Sequence, residues 1–105
     1  MGLLVICSYR PRAGREDEAR MLMAGHVPLL REHGLITSRE AVQGVAADGA
    51  LVEIFEWESV EKSRGAATIS EIGAHWKAMS EVMDFVPLAQ LDEAQHAFAH
   101  FHPIG

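Results

Sequence analysis

Two segments of this chain, Leu3 to Cys7 and Leu51 to Phe55, are apolar at both even and odd positions, apart from Glu53. No other feature constrains the fold as strongly. A strand turns successive side chains to opposite faces of its sheet. Leu3, Val5 and Cys7 therefore oppose Leu4 and Ile6, and Leu51 and Phe55 oppose Val52 and Ile54. A sheet built on such strands needs cover on both faces, because soluble monomers rarely expose apolar patches beyond roughly a few hundred Å².

The rest of the chain supplies the cover for one face. After the first strand, Gly2 to Tyr9, the run Arg10 to Gly14 breaks the pattern. Glu16, Asp17 and Glu18 then mark a first helical turn, where acids favour the dipole. The spacing predicts a helix to about His33, stopped by Gly34. Pro28 removes a backbone donor inside it and predicts a kink or restart near Val27. Leu35 to Gln43 reads as a second strand, Asp48-Gly49 as a hairpin turn, and Ala50 to Trp57 as a third strand. Ser59 is placed to cap a second helix, on which Ile69, Ile72, Trp76, Met79 and Met83 share a face. Phe85 to Leu91 reads as the last strand, with Pro87 at an edge or at its beginning.

The order is strand, helix, strand, strand, helix, strand. That is the ferredoxin-like α+β arrangement, a βαββαβ antiparallel sheet with two helices on one face. At 105 residues the chain is one domain, with a core over 2–91 and a polar, aromatic tail over 92–105. A second copy of the chain is the simplest cover for the remaining sheet face, so a homodimer is expected.

Charge and composition exclude several functions. A net charge of −6, with Arg10, Arg12, Arg15 and Arg20 interspersed among Glu16 to Glu18, does not suit a nucleic-acid partner. No stretch approaches the ~20 apolar residues of a membrane span, so no membrane partner is expected. The single Cys7 cannot form an intrachain disulfide, and the N-terminal apolar run is too short for a signal peptide. Both point to the cytoplasm.

The first helix holds the main chemical candidate. Ala19, Leu22, Met23, Leu29 and Leu30 form an apolar stripe, and His26 projects between them. An imidazole taken out of water needs a hydrogen-bond partner, so His26 is either a satisfied core residue or one wall of a pocket. In a pocket it would be a general base, because an imidazole titrates near neutral pH. Glu53 shares a strand face with Leu51, Phe55 and Trp57; it either orients His26 or pairs with a residue such as Arg39. Trp57 and Trp76 could be flat walls for an aromatic ligand or plain packing. Tyr9 ends its strand as a further wall or as edge cover, and His75 lies off the helix face, where solvent is expected. His96 and His100 have the i, i+4 spacing of metal ligands, but no further ligand stands at a firm motif distance. Neither a metal nor a cofactor is expected, and no nucleophile elbow, phosphate loop or dinucleotide fingerprint is present.

The phrases HVPLLREHGLITSRE, LVEIFEWES, AHWKAM and DFVPLAQL, in this order after a first strand, resemble the dimeric α+β barrel superfamily. Within it, residues 2–91 look most like antibiotic-biosynthesis-monooxygenase-type domains. The resemblance implies two sheets closed face to face into a barrel, with a small molecule held between sheet and helices of each subunit. Some members oxidise polycyclic phenols with dioxygen and no cofactor, using Asn, Trp and Tyr; Trp57, Trp76 and Tyr9 are the residues of those types here. Haem-degrading members use an Asn on the first strand and a Trp–His pair on the second helix. Here Ser8 and Tyr9 stand on that strand, and Asp84, Phe85 and Val86 follow Trp76, so the pattern does not fit haem degradation.

Two functions fit these residues best, ahead of metal-assisted chemistry or storage through the tail histidines His96, His100 and His102. One is cofactor-independent oxygenation of a hydrophobic or aromatic molecule, with His26 and Glu53 catalytic and Tyr9, Trp57 and Trp76 against the substrate. The other is a non-catalytic dimeric binding or stress-related module.

Overall fold

The computed structural model describes residues 2–105. It is an α+β fold with a five-stranded antiparallel sheet and three helices, compatible with the ferredoxin-like arrangement. Strand β1 spans Leu3–Pro11 and helix α1 Glu16–Glu32; β2 spans Val42–Val45 and β3 Leu51–Trp57. Helices α2 (Val60–Gly65) and α3 (Ser70–Val82) follow, then β4 (Met83–Val86) and β5 (His102–Pro103). The sheet order is β4-β1-β3-β2-β5. The two both-parity strands, β1 and β3, thus lie at its centre.

Register sorts their side chains into rows. On the helix side, Phe85, Tyr9, Leu51, Val45 and His102 form one row, and Cys7, Glu53 and Gln43 the next. Val5–Phe55 and Leu3–Trp57 follow on the same side. The opposite face carries Val86, Ser8, Val52, Gly44 and Pro103, then Ile6, Ile54 and Val42.

Helix α1 buries Ala19, Met23, His26, Val27 and Leu30 against the helix-side rows. It runs through Pro28 without a break, so the helix does not restart near Val27. Pro28 and Ala24, whose carbonyl loses its partner, are both exposed, and water can take the place of the missing donor. Gly34 closes the helix at φ +67, the left-handed conformation that costs other residues most. Ser59 caps α2 as expected, its hydroxyl accepting from the Lys62 N–H at 3.1 Å.

Three expected elements differ. The second helix is divided: α2 buries no side chain, a 3₁₀ turn follows over Ala66–Thr68, and α3 begins at Ser70. The second strand does not occupy Leu35 to Gln43. Leu35 and Ile36 are buried beside the end of β3, but the Thr37 hydroxyl accepts from the Arg39 N–H and turns the chain outward, so pairing resumes only at Val42. The last strand starts at Met83 and ends at Val86. Pro87 lacks the N–H a ladder requires, and the chain leaves in 3₁₀ turns.

The C-terminal segment also alters the expectation for the open face. It leaves β4 at one edge and returns as β5 at the other, packing Leu88, Leu91 and Phe101 against Ala46, Ala50 and Val52. Part of the open face is therefore covered by the chain itself. Leu4, Ile6 and Val42 remain exposed, at 61%, 46% and 57%.

Candidate functional site

The site is built on Glu53, the central residue of the Cys7–Glu53–Gln43 row. It is fully buried, and a buried carboxylate must be hydrogen-bonded to be tolerated. Three side chains provide this. The Tyr9 hydroxyl and the His26 Nδ1–H each donate to Oε1 at 2.5 Å, and Gln43 Nε2 donates to Oε2 at 3.2 Å. Gln43 also donates to the Met23 carbonyl at 3.2 Å, which ties β2 to α1.

The network continues beyond His26. Trp76 Nε1–H donates to His26 Nε2 at 2.8 Å. Nε2 therefore presents its lone pair, and the ring proton sits on Nδ1, facing Glu53. His26 is buried, and the ring of Phe55 meets it edge to face at 5.8 Å. His75 lies parallel to it at 6.0 Å and donates from Nε2 to the Leu22 carbonyl at 2.8 Å. That approach does not depend on Gly25, since an added Cβ would stand in ordinary contact at 3.5 Å from the His75 ring.

A cavity of about 350 Å³ opens beside this network. Cys7, Tyr9, His26, Phe55, Trp57 and Trp76 are among its lining residues on the helix side. The cavity extends past the end of β4 to Ile6, Ser8 and Leu88. Among the described residues no Lys or Arg lines it.

Burial is the largest cause raising the Tyr9 hydroxyl far above its ordinary range, followed by the neighbouring Glu53 charge, so Tyr9 acts as a donor and not as a base. Its ring lies against Phe85, with centroids 5.5 Å apart. Burial pushes the Cys7 thiol up to about 11, with the nearby Glu53 charge acting in the same direction, which makes it a poor nucleophile. The Ser8 hydroxyl is buried with no hydrogen-bond partner.

All five expected site residues meet here. Tyr9 and Glu53 are 44 positions apart, and His26 and Trp76 are 50 apart. The alternatives left open by the sequence are decided as follows. Glu53 pairs with His26, and Arg39 pairs instead with Glu56 at 3.2 Å on the opposite face. Tyr9 is core, not edge cover. His75 is not simply solvated but ties α3 to α1. The 96–100 segment is not helical, so His96 and His100 do not take the i, i+4 geometry. Among the described residues no three His, Cys, Asp or Glu side chains converge on one point. Gln43 is the site residue that sequence reasoning missed. Its strand parity matches that of Glu53, but the register that makes them neighbours spans a loop of irregular length.

No helix among the described residues is long and apolar enough to cross a membrane. Comparison with protein families, curated proteins and solved structures returns no match.

Proposed function

We propose that this protein binds a neutral hydroxylated aromatic molecule in the cavity beside His26 and withdraws its hydroxyl proton. The observation that carries this reading is the buried Tyr9–Glu53–His26 chain, which ends at an imidazole nitrogen beside an apolar cavity. In the step itself the ligand O–H bond breaks and a bond from that proton to His26 Nε2 forms. The product pair is a phenolate and an imidazolium, and Glu53 stabilises the imidazolium through Nδ1–H. Tyr9 and Gln43 hold the carboxylate in place, while Trp57 and Trp76 flank the ring.

The resemblance to antibiotic-biosynthesis-monooxygenase-type domains supports a continuation with dioxygen and no cofactor. In balanced form, a hydroxyarene and dioxygen give a quinone and water. It also supports a homodimeric α+β barrel, to which the exposed Leu4, Ile6 and Val42 would contribute the contact. The lone thiol, without a disulfide partner, suits the cytoplasm.

A second reading, a non-catalytic binding module, is favoured by one specific observation: His26 Nε2 already holds the Trp76 N–H. Oxygen uptake with a panel of naphthols and hydroquinones separates the two. The enzyme reading expects uptake that His26→Ala and Glu53→Gln abolish while the dimer persists. Binding without uptake supports the module, and the absence of both refutes the cavity reading.

A further inference from the structure

We infer that the Trp76 indole N–H is an exchangeable cap on His26. A ligand hydroxyl takes its place at Nε2, and the released N–H turns to the oxygen of that same ligand. This inference rests on the cavity reading above and names the ligand class it implies: a flat, neutral molecule carrying an O–H donor.

The argument starts from the single lone pair of Nε2. In the structure that lone pair is committed to Trp76 at 2.8 Å. A nitrogen so occupied accepts no second proton, so any ligand that uses His26 must first displace the indole. Displacement by a hydroxyl exchanges one donor for another and leaves Nε2 satisfied. Displacement by an apolar group leaves both Nε2 and the indole N–H without partners, which weakens binding.

The two partners of this hydrogen bond are held differently. The His26 ring is held by Glu53 through Nδ1 and is enclosed by Phe55 and His75. Trp76 is only half-buried, its indole makes no other hydrogen bond, and its ring borders the cavity. The indole is therefore the partner that moves. Once turned, its N–H needs an acceptor, and the oxygen that displaced it supplies one. After proton transfer the same N–H stabilises the phenolate, which places Trp76 in contact with the reacting atom.

Charge sets the other half of the selectivity. With no Lys or Arg in the lining among the described residues, and the Glu53 carboxylate directly behind His26, the cavity offers an anion the indole N–H and the Ser8 hydroxyl but no counter-charge. A neutral hydroxyl is preferred over both a carboxylate and a bare ring.

Three probes of matched size test this: 1-naphthol, naphthalene and 1-naphthoate. Each is titrated into protein labelled with ¹⁵N at tryptophan. The chain has two tryptophans, so a Trp76→Phe spectrum assigns the indole signals. The expected result is that 1-naphthol binds about tenfold tighter than naphthalene, the worth of about one net hydrogen bond. It also shifts the Trp76 indole N–H signal, and 1-naphthoate binds more weakly. Equal binding of naphthalene, or naphthol binding that leaves the Trp76 signal in place, overturns the exchangeable cap while the cavity reading stands. Tightest binding of 1-naphthoate overturns the neutral-ligand class. Failure of all three to bind removes the cavity reading, and this inference with it.

Discussion

Replacing Tyr9 by Phe deletes one oxygen atom from the centre of the site and leaves the ring packing intact. The lost interaction is the donation to Glu53 Oε1 at 2.5 Å. His26 and Gln43 continue to hold the carboxylate, and no sizeable cavity opens. A hydrogen bond to a charged acceptor contributes about 1.5–3 kcal/mol. At about 4 °C per kcal/mol for a domain of this size, Tm should fall by about 6–12 °C. Urea unfolding near neutral pH, followed by circular dichroism at one protein concentration, measures the free energy directly. Concentration must be fixed because the proposed dimer couples stability to association. A loss below about 0.5 kcal/mol would refute the claim that this bond is made out of water.

Alkaline pH tests the same bond independently. A phenol in water ionises near pH 10, and burial together with the Glu53 charge raises Tyr9 above that value. The folded chain therefore keeps a proton that the unfolded chain gives up. The resulting stability is complete below about pH 10 and declines as pH rises above it, by about 1.4 kcal/mol per pH unit, until the folded group also ionises. Tyr9 is the sole tyrosine, so tyrosinate absorbance reports on it alone. The absorbance step should coincide with unfolding, and the Phe variant should lack this slope. Tyrosinate forming near pH 10 in an intact fold would contradict the reasoning.

Gly34→Ala should cost about 1 kcal/mol by chemical denaturation, because φ is +67 and nothing within 4 Å would meet the new Cβ; the cost is conformational alone. An unchanged stability would mean that the left-handed turn is not obligatory. Cys7 is half-buried and lines the cavity, and its thiol is pushed up to about 11 by burial, so it should react slowly with a thiol reagent at neutral pH because little thiolate is present; rapid labelling of the native protein at neutral pH would contradict the raised pKa. Removing residues 96–105 withdraws Phe101 and Ile104 and bares the edge of β2. The expected loss is about 2–3 kcal/mol in the same assay, with increased self-association by light scattering. A truncated chain as stable as the full one would show that the C-terminal segment does not cover the sheet.

The order of the elements, the turns at Gly34 and Asp48-Gly49, the cap at Ser59 and the buried position of His26 were all legible in the sequence. Each depends on local spacing or on one residue's backbone preference, which neighbouring residues carry. Strand parity likewise placed Glu53 on the same face as Phe55 and Trp57. It could not choose between His26 and Arg39 as the partner, because parity names a face and not a row. The pairing of β3 with β1 and β2 decides the row, putting Cys7 and Gln43 on either side of Glu53 and Tyr9 one row away. The break between α2 and α3, and the passage of residues 87–101 beneath the sheet, were also beyond local pattern. Both depend on which apolar surfaces remain uncovered once the sheet has formed. The hydrogen bond from Trp76 to His26 belongs to the same class, since it joins two helices whose relative position is set by packing against a common sheet. Local chemistry determined the parts of this protein, and tertiary packing decided which of their polar groups face one another.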